Sequence, residues 1–318
     1  MNLRQVILVR HSFSTYNQQG RYQGCSDESI LTAKGLDAAY QTGLALKDYQ
    51  FDAIYSSPLQ RVQQTTKEII QALSSHQSPE IIFDDRLKEV NMLSWEGLSY
   101  EYVKTNYKEA YQCWQQTPHL FNFHLKDKTF FPVLELYNQA RLFWEDILTK
   151  HDQKMILIVA HSGTNRALIS TVMGLSPQQY HSLQQSNYGI TYCQLQEQNN
   201  FDLVWFNSTI HLGEKLPKLK EGQQGIRYLF MREDSEHFQE LLGYLKLAAI
   251  DFITDTDKPE KPFQNIVTRD DHVKRILEDE FCLPINKDYL YIIHCPTENK
   301  KILQGVLPIS RITSEQVC

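Results

Sequence analysis

The sequence predicts an α/β fold: a largely parallel sheet covered on both faces by helices, with a smaller α/β part after it. Short, fully apolar runs rich in β-branched residues, Val6 to Val9 and Met155 to Ala160, have the make-up of buried parallel strands. Stretches with apolar residues at helical spacing separate them. Strands alternating with helices imply parallel pairing, because the crossovers cover the sheet.

Taken in order, the first strand ends on Arg10-His11, and Asn17 stands six positions after the histidine. A buried parallel strand delivers its last side chains to the carboxyl edge of the sheet, where open α/β folds place ligands. The plainer alternative is a strand end with a solvated arginine and a capping histidine. LTAKGLDAAYQTGLAL (31–46) reads as a helix with Thr32 as its N-cap. FDAIYSSP (51–58) reads as a strand, after which Ser57 caps the helix LQRVQQTTKEIIQAL with Pro58 at its first position. EIIFDDRL (80–87) is a short strand and loop, and 98–150 is helical and aromatic. MILIVAHSG repeats the opening pattern and leads into the helix TNRALISTVMG. YGITYCQLQ and FDLVWFN form a strand pair joined by a turn at Gln198-Asn199-Asn200.

Composition bounds the function. A chain of 318 residues holds one large domain or two modest ones. Lys plus Arg number 32 against 38 Asp plus Glu, and the net charge of −6 argues against a nucleic-acid partner. A small anionic metabolite is compatible with it, since two arginines hold a phosphate inside an acidic protein. The longest apolar runs are too short to span a bilayer, and the N-terminus enters its strand without room for a signal sequence. Six scattered cysteines lack metal-like spacing and read as reduced thiols of a cytoplasmic protein. No metal and no cofactor is expected.

The strand ends supply the chemistry. His11 and His161 both follow buried apolar strands, and Arg10 and Arg61 lie at or just after strand ends. If the strands are neighbours, two histidines and two arginines converge on a phosphoryl group. Arginine offers a charged planar fork matching phosphate oxygens. A neutral imidazole attacks phosphorus, while a second, protonated one spreads the transition-state charge. Ser162 and Gly163 open a helix whose amides suit an anion. Glu89 and Glu96 are the proton-donor candidates, and Glu89 lies closer to its strand end.

These blocks, LVRHSFSTYN, RYQGCSDESILTAKG, YSSPLQRVQQT, LKEVNMLSWEGL and VAHSGTNRAL, resemble the histidine phosphatase (phosphoglycerate-mutase-like) superfamily over about residues 5–212. The resemblance implies a three-layer α/β/α phosphoglycerate-mutase-like domain. It implies that His11 is the nucleophile, that Arg10, Arg61 and His161 clamp the phosphate, and that Asn17 supports the clamp. Glu89 is implied as the acid that then activates water, with Gln23, Ser26, Ser162 and Gly163 in the binding loops. The family pattern usually has Gly where Ser12 stands, so a local adjustment is expected there. A mutase must shield its phosphohistidine and grip a second anion, and neither feature is visible, so LKEVNMLSWEGL favours a phosphatase.

YQCWQQTPHLFNF, FPVLELYNQARLFWEDIL and HSLQQSNYGITYCQL resemble the branch that contains the plant 2-carboxy-D-arabinitol-1-phosphate phosphatase. That branch implies a phosphorylated sugar or sugar acid as substrate and a photosynthetic source, a cyanobacterium. α-Ribazole phosphatase and phosphoserine phosphatase share the same residues and remain alternatives, and a non-catalytic phosphate sensor is the non-enzyme one. Trp114 and Trp144 read as core aromatics. The loop near His119 and His124 is a candidate lid, or simply solvated.

LGEKLPKLKEGQQG (212–225) is rich in Lys, Gly and Pro. The expected division is a catalytic domain at 1–215, a linker at 216–225 and a small α/β domain at 226–318. Three stretches of the last part echo the first: IRYLFMRED with Arg232 and Glu233, AAIDFITDTD, and LYIIHCPTENKKILQGVL with His294 opposite His161. They read as a degenerate, catalytically silent repeat that covers the first domain or forms a homodimer. Asp255-Thr256-Asp257 offers a rival, the aspartate nucleophile of Mg-dependent haloacid-dehalogenase-type phosphatases, but Pro259 breaks that pattern.

Overall fold

A computed structural model describes residues 4–73, 79–151, 154–195, 201–219, 224–232, 234–254 and 263–313. The chain divides into two compact units. The first comprises Met1–His181, Asn187–Gly189 and Gln194–Phe201, and the second Ser182–Ser186, Ile190–Cys193 and Asp202–Cys318.

In the first unit, strands β1 (Arg4–Arg10), β2 (Ala53–Ser56), β3 (Ile81–Phe83) and β6 (Met155–Ala160) are parallel, in the order β3-β2-β6-β1. Val9 pairs with Val159 and Arg10 with Ala160, so both histidines follow at the same edge. The apolar residues Val6–Val9 and Ile156–Ala160 are almost fully buried, as expected of strands covered on both faces. Burying each such side chain is worth about 1.5–3 kcal/mol.

The helices are α1 (Thr15–Gln18), α2 (Ala33–Ala45), α3 (Gln60–Ala72), α4 (Tyr100–Asn106), α5 (Lys108–Gln116), α6 (Pro132–Lys150) and α7 (Ser162–Met173). The pairs α2–α3 and α6–α7 supply the outer layers of the α/β/α arrangement. A small hairpin, β4 (Phe123–His124) with β5 (Thr129–Phe130), precedes α6. Thr32 caps α2 as expected, accepting from the Gly35 amide at 3.0 Å. Ser57 does not cap α3: that helix opens at Gln60 with Leu59 as N-cap, and the Ser57 hydroxyl, which accepts from the Leu59 amide at 3.4 Å, pairs more closely with His161 at 2.8 Å.

In the second unit, the strands are β7 (Ile190–Leu195), β8 (Phe201–Ser208), β9 (Gly225–Phe230), β10 (Ile253–Thr254), β11 (Phe263–Thr268), β12 (Tyr289–Thr297) and β13 (Lys300–Pro308). They lie in the order β10-β11-β9-β12-β13-β8-β7. β10, β11 and β9 are parallel, whereas β12 and β13 are antiparallel to their neighbours. Helices α8 (Phe238–Leu247), α9 (Asp271–Arg275) and α10 (Ile309–Thr313) complete it. Leu241 and Leu245 of α8 and Ile309 and Ile312 of α10 close a core over Leu229, Ile292 and Leu307.

Two expectations change here. The strand pair expected in the catalytic part, β7 and β8, falls mainly in the second unit, because Phe206 pairs with Val306 of β13. The boundary expected near 215 therefore does not follow the compact units, and Leu216 packs on the second unit's core. The C-terminal part is also not a second copy of the first. β6 runs parallel to β1 and leads into a helix, whereas β12 runs antiparallel to β9 and turns straight into β13. The expected turn at 198–200, Glu233 and Asp255-Thr256-Asp257 lie outside the described residues.

Candidate active site

The site is built on the ends of β1 and β6 and the start of α7. His11 is buried, and its Nδ1 lies 2.8 Å from the carbonyl of Ser12. A carbonyl only accepts, so Nδ1 carries the proton and Nε2 keeps its lone pair. Burial first, then the Arg10 and Arg61 guanidiniums, hold this imidazole well below its ordinary pKa, against the raising effect of the Ser12 bond. The His161 ring stands edge-on to it, with centroids 5.3 Å apart. His161 is buried too, and burial, Arg61, His11 and Arg10 keep it neutral. Its Nε2 lies 2.8 Å from the Ser57 hydroxyl, and its Nδ1 has no hydrogen-bond partner among the described residues.

Two guanidiniums face this pair. Burial lowers Arg10 to about 10 and lowers Arg61 as well, and the Glu89 charge opposes the effect in both. Arg61 donates to the carbonyls of Ser26 at 2.9 Å and Gly24 at 2.8 Å, while its buried Nε has no partner among the described residues. It therefore shapes the 23–26 loop as well as charging the site. Glu96 holds the same loop from the other side, accepting from the Cys25 amide at 2.7 Å and the Met92 amide at 3.3 Å. Gly24 has φ +51°, and a Cβ there would collide with the Glu96 carboxylate, so glycine is required. Of the two proton-donor candidates, Glu96 is thus built into the loop scaffold.

Glu89 is positioned by backbone amides. Its Oε1 accepts from Val90 at 2.9 Å and Thr164 at 3.2 Å, and its Oε2 from Gly163 at 3.1 Å. The Thr164 hydroxyl also donates to the Lys88 carbonyl at 2.7 Å, tying the Glu89 loop to α7. A Cβ on Gly163 would come within 2.3 Å of both Glu89 Oε1 and the Tyr180 hydroxyl, so the carboxylate reaches its place only over a residue without a side chain. Ser162 opens α7 and lies half-buried.

Asn17 and Gln23 meet through Ser14, whose hydroxyl lies 2.9 Å from Asn17 Oδ1 and 2.8 Å from Gln23 Oε1. Ser26 enters through its carbonyl on Arg61. The structure thus brings His11, His161, Arg10, Arg61 and Glu89 together, with Asn17, Gln23, Ser26 and Gly163 as their supports. His124 stands exposed on β4, and Trp114 and Trp144 are buried among other aromatics, so Trp114 and Trp144 sit in the core as expected.

Several participants were invisible in the sequence. Asn187 Nδ2 lies 3.3 Å from the His11 carbonyl, 3.4 Å from that of Ser12 and 3.0 Å from Asn17 Oδ1. Thr65 accepts from the Ser12 amide at 3.0 Å. Ser57 faces His161. Each is a common residue type whose role depends on what the fold brings near it. The Ser12 hydroxyl, where the family pattern usually has glycine, is buried without a partner among the described residues.

The Histidine phosphatase superfamily (branch 1) pattern matches residues 6–209. An Arabidopsis thaliana protein named "Probable 2-carboxy-D-arabinitol-1-phosphatase" is 40% identical over 188 residues, 59% of this chain but only 37% of that protein. The chain thus spans little more than a third of this plant relative. "Phosphoserine phosphatase 1" of Hydrogenobacter thermophilus is 30% identical over 210 residues, covering 66% of this chain and 95% of that one. The crystal structure of the alpha-ribazole phosphatase from Shigella flexneri superposes with a TM-score of 0.55 at 22% identity, over 64% of this chain and 96% of the other, a likeness of fold. A pattern match over most of the chain, in a span that contains both strand-end histidines, shows that this protein belongs to branch 1 of the histidine phosphatase superfamily.

Proposed function

We propose that the protein hydrolyses a phosphate monoester of a small metabolite in two steps through a phosphohistidine on His11. The carrying observation is the state of His11: buried, neutral, with Nδ1 committed to Ser12, its Nε2 lone pair left over, and the Arg10 and Arg61 charges acting on the ring. In the first step Nε2 forms a bond to phosphorus, the ester oxygen–phosphorus bond breaks, and Glu89 gives its proton to the departing oxygen. Arg10 and Arg61 neutralise the transferring group. An incoming dianion favours the charged form of His161, which burial and its neighbours otherwise keep neutral, and so recruits a further positive charge. Water then attacks phosphorus, its proton passes to Glu89, and the nitrogen–phosphorus bond breaks with its electron pair returning to Nε2.

The substrate we favour is a phosphorylated sugar or sugar acid resembling 2-carboxyarabinitol 1-phosphate, on the strength of the plant relative. A phosphoserine-type substrate is the second reading, favoured by the Hydrogenobacter relative matched over nearly its whole length. A panel of phosphorylated metabolites ranked by kcat/KM separates them. Rapid quenching should trap an acid-labile, base-stable label on His11, with turnover undiminished by chelator. An active preparation without that label refutes the mechanism.

A further inference from the structure

Tyr180 stands directly behind the contact between Glu89 and Gly163 and has no part in the chemistry just described. It lies in the 3-10 segment Pro177–Ser182 and is completely buried. Packing fixes its ring: Trp114 and His181 meet it edge-on, with centroids at 5.5 and 5.0 Å, and the Arg166 guanidinium covers it at 5.5 Å. Its hydroxyl is another matter. A Cβ on Gly163 would lie 2.3 Å from this oxygen and 2.3 Å from Glu89 Oε1, so the two oxygens are at most twice that distance apart. Among the described residues no acceptor takes its proton, and the neighbouring Arg166 guanidinium can only donate to its oxygen. A buried O–H without an acceptor is a net cost to folding, and one held beside an acid–base carboxylate needs a reason. Burial and the Glu89 charge raise its pKa over the opposing Arg166 charge and hydrogen bond, so it keeps its proton and has it to donate.

We propose that Tyr180 is a positioning residue for Glu89, donating its O–H to Glu89 Oε1 while the phosphohistidine is hydrolysed. This rests on the reading of Glu89 as the acid–base group. Oε1 would then accept from the Val90 and Thr164 amides and from Tyr180, leaving Oε2, which accepts from the Gly163 amide, to take the proton of the attacking water. The water oxygen bonds to phosphorus, the phosphorus–Nε2 bond breaks towards the imidazole, and Tyr180 keeps its own proton. The phosphorylation step, in which Glu89 gives up a proton, depends less on this donor.

The test is rapid-quench kinetics on the full chain with a generic aryl phosphate, comparing wild type, Tyr180→Phe and Glu89→Gln, with thermal melts alongside. Tyr180→Phe should form phospho-His11 within about twofold of the wild-type rate and hydrolyse it about tenfold more slowly, the loss expected of a hydrogen bond to a charged group. Its Tm should stay close to that of wild type, because the deleted O–H has no acceptor in the resting protein. Wild-type hydrolysis of the phosphoenzyme by Tyr180→Phe overturns the proposal. So does a lower Tm with both steps slowed alike, which marks a packing role. Wild-type turnover by Glu89→Gln instead overturns the underlying assignment of Glu89, whatever Tyr180→Phe does.

Discussion

His161 and His294 follow similar apolar runs, ILIVA and LYII, and both are buried histidines with an arginine nearby. His161 follows a parallel strand and is the N-cap residue of a twelve-residue helix, so its ring meets His11 while the helix it opens presents the amides that hold Glu89. His294 sits inside an antiparallel ladder opposite Arg227, and its Nε2 lies 2.8 Å from the Gln224 carbonyl. Arg227 in turn donates to the Pro217 carbonyl. Burial leads the causes that lower both imidazoles. What separates them is company: among the described residues the charges acting on His294 are Arg227 and Lys300, with no second histidine and no carboxylate. Burial beside a cation does not make a site; a strand end followed by a helix start, repeated on neighbouring parallel strands, does.

The comparison is open to attack at both ends. The largest expected effect is that of His11→Ala, which removes the nucleophile and should lower kcat by on the order of 10⁶, measured by aryl phosphate turnover. His161→Ala and Arg61→Ala should each cost on the order of 10²–10³ in kcat, the usual loss of an electrostatic stabiliser. Arg61→Lys should recover little, since a single ammonium cannot reproduce the fork that grips Gly24 and Ser26. Gly163→Ala should lower kcat by about 10²-fold in a folded protein by displacing Glu89. A Gly163→Ala enzyme at full rate would show that the carboxylate adapts.

Acid should unfold the first unit early. His11 and His161 stay neutral when folded but protonate near pH 6.5 in the unfolded chain. Below that pH the unfolded state binds more protons, so stability is full above about 6.5 and declines as pH falls, by about 1.4 kcal/mol per pH unit for each histidine. Urea titrations at pH 7.5, 6 and 5 measure the slope, which His161→Gln should reduce. The smallest effect belongs to His294→Ala: kcat within about twofold of wild type, with a stability loss of about 1–2 kcal/mol from the buried hydrogen bond and packing. Loss of turnover in a folded His294→Ala protein would erase the distinction drawn above.

Much of the first unit was legible because its signals are local. Apolar runs that end on Arg10-His11 and Ala160-His161 fix both the strands and the edge they feed, and Thr32 announces its helix. Ser57, Thr65, Asn187 and Tyr180 carry no such signal, since a serine or tyrosine acquires its role only from neighbours distant in sequence. The C-terminal echoes misled for a related reason. An apolar run does not encode its direction in the sheet, and the direction decides whether a helix or a hairpin follows. Residues 298–299, between β12 and β13, leave room only for a tight turn.

Gly163 illustrates how such a site resists inheritance of change. It has no side chain to react or bind, yet every other amino acid would push an atom into the place where Glu89 and Tyr180 meet. In a saturation library selected for turnover, this codon should tolerate as little variation as that of the nucleophile, while neighbouring Ser162 varies. Intolerance there would record a missing atom, so a ranking of positions by selection would find a participant that no inventory of reactive groups contains.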